Sequence, residues 1–247
     1  MLEILGCRLD PIDAGAATEA ILGFARDGRG AQIVTLGTEM VVYAQKDERF
    51  RRAINACALS LCDTVGLLAV AQARGAPLRE RVTGVELIEH LCDRLAHDPM
   101  PVYLLGGAPG IAQRAAQTLQ QRYPGLIIAG THDGFFPLEE SDALAARIRE
   151  SGARVLLAGL GSPRQEFWLA EHLHATGCGA GIGVGGSFDV ISGTVKRAPP
   201  AWRRMRAEWL YRLLKEPRRW RRQLALPQFV LLIAGESLRS RFAKGKT

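Results

Sequence analysis

Short apolar runs alternate with segments of helical period along most of this chain. The runs at residues 31–36 (AQIVTL), 59–62 (LSLC), 101–105 (PVYLL), 126–129 (LIIA), 155–158 (VLLA) and 179–184 (GAGIGV) are too short for helices. Their lack of polar alternation predicts strands buried on both faces. Residues 4–9 read as a further short strand. Between the runs, residues 14–25, 39–45, 65–74 and 139–150 predict helices, and Asp47 caps another that carries Phe50 and Ile54. Thr83-Gly84-Val85-Glu86 is a T-x-x-E capping box, which opens a helix reaching about residue 97. A turn at residues 106–110 (GGAPG) leads into a helix that ends at Tyr123. Strands and helices in strict alternation predict a parallel sheet with helices on both faces. No period of 20 to 50 residues recurs, which excludes a solenoid.

In such a Rossmann-like arrangement every strand ends on the same edge of the sheet, and ligands bind there. The residues just past the strands are Thr35, Asp63, Gly106-Gly107, Asp133-Gly134, Gly161-Ser162 with Gln165, and Gly185-Gly186 with Asp189. Glycines let the backbone approach a ligand, and helix starts after Pro109 and Ser162 would offer N–H donors to a diphosphate. Asp63, Asp133 and Asp189 can accept from sugar hydroxyls, or one of them can act as a base. An Asp after a strand is also the ordinary turn former or helix cap. The turn at Gly159-Leu160-Gly161 is the most informative of these. Ser162 suits an N-cap, Pro163 the first helical position, and Gln165 the reciprocal place in a capping box. Two readings fit it: a phosphate cradle, or a plain βα turn whose Gln caps its own helix.

Several other chemistries are excluded by spacing. No G-x-x-x-x-G-K-[ST] occurs, and Gly159-x-Gly161-x-x-Arg164 lacks the third glycine of a dinucleotide fingerprint. Ser162 does not stand in G-x-S-x-G. His172 and His174 lie two apart on a predicted helix and cannot chelate together, and no metal-ligand spacing is found.

Composition adds one decisive asymmetry. Of 32 Lys and Arg, 15 lie in residues 196–247 with only three acids, so that segment is +12 while residues 1–195 are −5. The domains are read accordingly as an α/β body over 1–195 and a basic helical appendage over 196–247. In the appendage Trp202, Met205, Trp209, Leu210, Leu213 and Leu214 form a stripe at helical spacing, flanked by arginines. Such a helix either covers a core or lies in a membrane interface with Arg on lipid phosphates. Nucleic acid ranks third, since no RRM, KH or helix-turn-helix pattern accompanies the arginines. The apolar stretch at 224–235 contains Pro227 and Gln228 and is too short to span a bilayer. Five cysteines without a C-x-x-C pair read as buried thiols, and the N-terminus has no signal-peptide pattern. These features point to a cytoplasmic protein with its tail on a surface.

Taken in order, the motifs resemble those of the bacterial WecG/TagA/CpsF glycosyltransferases. The resemblance runs from about residue 33 to residue 222. It rests on Thr35 with Glu39, Asp63 before a helix start, Arg81-Val82-x-Gly84, and LLGGAPG with Tyr123-Pro124-Gly125. Further matches are Asp133-Gly134-x-Phe136, GLGSPRQE at 159–166, GVGGSFDVISGTVKRAP at 183–199 and AEWLYRLLKEPRRWRR at 207–222.

The resemblance implies an inverting transfer of a sugar from a UDP-sugar to a polyprenyl-pyrophosphate-linked sugar, for surface polysaccharides such as teichoic acid or common antigen. It implies Asp63 as the catalytic base with Thr35 beside it, and Arg81 and Gln165 in the same pocket. An arginine of 212–222, with Arg212, Arg219 and Arg222 as candidates, would fold over the strand ends to neutralise the departing UDP. No cofactor or metal is expected, and a homo-oligomer is possible. The protein would sit on the inner face of the cytoplasmic membrane. Two positions depart from the family pattern: Gly37 replaces the usual Asn, and Thr64 the usual Gly after the Asp. The Asn is expected to touch the donor sugar, so its loss at Gly37 leaves room for glucose, mannose or a uronic acid in place of the usual N-acetylmannosamine-type donor. Gly37 and Thr64 together also motivate an alternative, a catalytically silent UDP-sugar-binding or scaffold protein of an assembly complex.

Overall fold

The computed structural model describes residues 2–195, 199, 202 and 224–244. Six strands form one wholly parallel sheet: β3 (Ala31–Leu36), β4 (Leu59–Cys62), β5 (Val102–Gly106), β6 (Ile128–His132), β7 (Val155–Gly159) and β8 (Ala180–Gly183). Their spatial order is β4-β3-β8-β7-β5-β6. Parallel pairing sets all six carboxyl ends on one edge, as the alternating sequence predicts.

Side chains alternate across the sheet with the two-residue period of a strand. Ile33, Leu104, Val155, Leu157 and Ile182 face one core, shared with α1 (Ala14–Asp27), α5 (Gly84–His97), α6 (Ile111–Arg122) and α9 (Ser187–Ile191). Val34 and Leu36 face the other way, under α2 (Thr38–Ala44), α3 (Glu48–Ala56) and α4 (Val65–Ala73). On that same side Leu105, Leu156 and Ala158 pack under α7 (Ser141–Glu150) and α8 (Arg164–His172). Helices therefore cover both faces.

Local chemistry accounts for most boundaries. The Asp47 carboxylate accepts from Phe50 N–H, and the Thr83 hydroxyl accepts from Glu86 N–H while donating to its carboxylate at 2.8 Å. These are the caps predicted above. The differences are equally physical. Residues 4–9 are not one strand but part of a hairpin, β1 (Leu2–Ile4) and β2 (Cys7–Leu9), turning through Leu5 and Gly6, both at positive φ. Strand β6 lies two to three residues later than its apolar run at 126–129. It is an edge strand and half-buried throughout, so polar Thr131 and His132 are tolerated in it. Helix α9, five residues long, follows Gly186 where no helix is predicted.

The last described helix, α10 (Ala225–Lys244), docks on the body. Phe229 is buried in the cluster with Val34, Leu36 and Phe50, and Arg74 pairs with Glu236. Among the described residues no helix is long and apolar enough to cross a membrane.

Candidate active site

Four of the turns at the carboxyl edge touch one another through backbone alone. Gly134 N–H donates to Gly107 C=O at 2.8 Å, and Gly107 N–H donates to Gly159 C=O at 3.1 Å. A Cβ at Gly106, whose φ is +141°, would lie 2.3 Å from the Gly159 oxygen. One at Gly159 would lie 2.8 Å from that of Gly185. Neither contact can be relieved by a side-chain rotation, so only glycine permits this packing. The loops after β6, β5, β7 and β8 thus form a continuous backbone rail. Arg164, which sequence reasoning passed over, fastens one end of it. Its guanidinium donates to the Gly134 and Phe136 carbonyls and stacks 4.5 Å over the Phe136 ring.

The turn before α8 corrects the capping-box expectation. The helix starts at Arg164, with a cis peptide between Ser162 and Pro163, and no side chain caps it. Gln165 is spent elsewhere. Its Oε1 accepts from Gly185 N–H at 3.0 Å, and its Nε2 donates to Glu166 Oε1 at 2.7 Å. Gln165 and Glu166 are only 3% and 1% exposed, so these bonds form in a water-poor setting. Close by, the Thr35 hydroxyl donates to Gly183 C=O at 2.8 Å, which ties β3 to β8 just where the Gly185 turn begins.

Asp63 enters from the adjacent strand. Its N–H extends the β3–β4 ladder to Leu36 C=O at 3.0 Å, and Val82 N–H donates to Cys62 C=O at 2.7 Å. That second bond lays Arg81-Val82 beside the end of β4, one residue from Asp63. Burial pushes the Cys62 thiol up to about 12. The negative charge of Asp63 adds to this and the positive charge of Arg81 opposes it, so both bear on the same spot. The chain then packs Gly84 against Val184 and Ser187, at the start of α9 that carries Asp189. Asp63, Arg81 and Asp189 are all half-buried.

Thr35, Asp63, Arg81, Gln165 and Asp189 therefore gather over β4, β3 and β8. Gly106, Gly107 and Ser162 continue the same edge. Asp133 lies at the far end, five strand spacings from β4, or about 24 Å. Its carboxylate accepts from Phe135 N–H at 2.8 Å and closes its own turn. Arg212, Arg219 and Arg222 lie outside the described residues. The appendage does reach the site's flank through α10. Phe229 sits beside Gly66 and near Thr38, at the starts of α4 and α2. Next to it the Thr64 hydroxyl accepts from Thr38 N–H at 3.2 Å, and a Cβ on Gly37 would meet the Thr64 methyl at an ordinary 3.5 Å.

This arrangement can be set beside known proteins. The Glycosyl transferase WecG/TagA/CpsF family matches residues 2–243. The chain belongs to that family. An N-acetylglucosaminyldiphosphoundecaprenol N-acetyl-beta-D-mannosaminyltransferase of Bacillus spizizenii (strain ATCC 23059 / NRRL B-14472 / W23) is 34% identical over 205 residues. The match covers 83% of this chain and 79% of that protein. As a member of the WecG/TagA/CpsF family the chain is a glycosyltransferase, and the carboxyl edge is its candidate active site. Among the described residues no group of three or more His, Cys, Asp or Glu is placed to hold a metal ion. All five cysteines are free and buried.

Proposed function

We propose that this glycosyltransferase moves a sugar, with inversion, from a UDP-sugar to a polyprenyl-diphosphate-linked sugar in surface polysaccharide synthesis. The observation that carries this is the gathering of Asp63, Arg81, Thr35 and Gln165 at the ends of β4, β3 and β8, beside the glycine backbone rail. Asp63 removes the proton from the acceptor hydroxyl as its oxygen attacks the anomeric carbon. The C–O bond to UDP breaks on the opposite face, which inverts that centre. Negative charge grows on the departing diphosphate. Arg81, the start of α8 at Ser162 and the Gly185-Gly186 turn offset it without a metal ion, while the N–H groups of Gly107 and Gly134 are spent holding the rail that shapes this edge. Thr35 and Asp189 hold sugar hydroxyls, and Asp133 shapes the turn that presents Gly134.

The name of the Bacillus relative supports a lipid-diphosphate acceptor, and with such an acceptor we infer that the enzyme works at the inner face of the membrane. The appendage, with Arg212, Arg219 and Arg222, supplies the basic surface for anionic lipid and charge for the leaving group. Gly37 and Thr64 favour a donor other than the relative's, since Thr64 rather than residue 37 caps α2 and residue 37 offers no side chain to the sugar. The test is a panel of UDP-sugars offered with a polyprenyl-diphosphate monosaccharide, scored by the mass of the lipid product. Turnover of one donor supports the reading. Donor binding without transfer in the whole panel would favour the silent, scaffolding alternative.

A further inference from the structure

Glu166 is a buried carboxyl that the mechanism above does not use. It lies in the first turn of α8, and its backbone carbonyl accepts from Gln32 Nε2 at 3.0 Å, which pins α8 to β3. Its Oε1 accepts from Gln165 Nε2, while Oε2 has no partner within hydrogen-bond geometry among the described residues and the Ser162 hydroxyl gives the carboxyl only electrostatic support. An unpaired, fully buried carboxyl oxygen is a poor way to stabilise a fold, and apolar residues of similar size usually do as well or better.

We propose that Glu166 is a positioning residue, whose carboxyl fixes the rotation of the Gln165 amide and, through it, the shape of the Gly185–Gly186 turn, which lies against the donor diphosphate in the proposed reaction. This rests on the proposed UDP-sugar reading. A primary amide can turn by a half-rotation and exchange its oxygen and nitrogen. With Gly185 N–H on one side and an acceptor on the other, only one orientation satisfies both ends. Turned over, Nε2 would face an N–H donor and Oε1 would face the Glu166 oxygen. Without Glu166 only one bond, from Gly185, would select the orientation. The sheet makes room for the pair: a Cβ at Gly183 would fall 2.7 Å from Gln165 Nε2 and 3.3 Å from Glu166 Oε1. Burial raises the Glu166 pKa and the negative charge of Glu39 adds to it, against the Gln165 amide and Ser162 hydroxyl. Ionised or neutral, the carboxyl keeps an accepting oxygen for Gln165, so the positioning role survives either state.

The test compares Glu166→Met, Glu166→Leu and Glu166→Gln in the full chain, with Gln165→Ala as reference. Three readouts are followed: thermal midpoint, donor KM against kcat, and UDP affinity by calorimetry. Met and Leu keep the volume but offer no acceptor. They are expected to hold or raise the midpoint while weakening UDP and raising donor KM by about tenfold or more, with kcat within about threefold, as Gln165→Ala does. Gln restores an accepting oxygen and should recover most of the affinity. Unchanged UDP affinity in both Met and Leu variants, with Gln165→Ala impaired, overturns the positioning role. So does a Gln variant as impaired as Met. If one apolar variant fails to fold, the other and the Gln variant still decide. A wild-type protein that binds UDP but transfers nothing leaves this inference supported and removes the transferase reading. Absence of UDP binding removes both.

Discussion

Replacing Phe229 by Ala should detach α10 from the body without unfolding it. Phe229 is 3% exposed, and removing a buried Phe side chain costs about 3–5 kcal/mol. The other large members of its cluster, among them Leu36, Phe50, Ile54 and Leu67, belong to the body and keep their mutual contacts. The loss therefore falls on helix docking. Among the described residues α10 is also held by the half-buried Ala225, Leu232 and Ile233 and by the Arg74–Glu236 pair. A partly exposed pair of this kind is worth about 0–1 kcal/mol. At 1.4 kcal/mol per factor of ten, detachment becomes easier by roughly 100- to 4,000-fold. Hydrogen exchange read by mass spectrometry should show amides of 225–237 exchanging faster by at least about 100-fold, while β7 and β8 stay unchanged. Turnover should fall with it, because Phe229 supports the starts of α2 and α4 beside Asp63. Val230→Ala and Leu231→Ala, at 64% and 72% exposed, should change nothing. Unaltered exchange in the Phe229 variant, or faster exchange spread evenly over the whole body, would refute this reasoning.

Other outcomes follow from the same structure. Burial pushes the thiols of Cys57, Cys62 and Cys92 from about 9 up to about 12. Their stabilising effect is complete below about pH 9 and is lost as unfolded thiols ionise while folded ones do not. Denaturant midpoints should therefore fall between about pH 9 and 12, and Cys→Ser variants that still fold should show less of that fall. Activity should survive EDTA; loss on chelation with restoration by magnesium or manganese contradicts the metal-free account of the leaving group. Removing residues 196–247 should release the protein from anionic vesicles and also lower turnover on a short, water-soluble acceptor. Retained vesicle binding would contradict the anchoring role, and normal turnover on the soluble acceptor would contradict a role in catalysis.

The fold was legible because a parallel sheet writes itself as short apolar runs. β3 and β4 lie where AQIVTL and LSLC place them. β6 was shifted because an edge strand needs less apolar surface, and edge position depends on strand order, which no local pattern records. The same ignorance of order made Asp63 and Asp133 look equivalent, although they stand at opposite ends of the sheet. Gln165 was visible as a polar residue at the right turn, yet its partners were misjudged. A capping box and a tertiary amide bridge use the same residue types, and only the approach of Gly185 separates them. Arg164 and Glu166 were missed because charged residues in a first helical turn usually face water. For Glu166 the faint signal lay in the bare Gly183 opposite, where a side chain would have filled the space it shares with Gln165.

The most direct measurement is single-turnover transfer by Asp63→Asn, alongside UDP affinity of the same protein. Asn keeps the shape and the backbone bond to Leu36 but cannot take a proton. With Asp63 as the base, transfer falls by about 100-fold or more while UDP affinity stays within about threefold of wild type. Transfer at a near-normal rate in that variant would contradict the account.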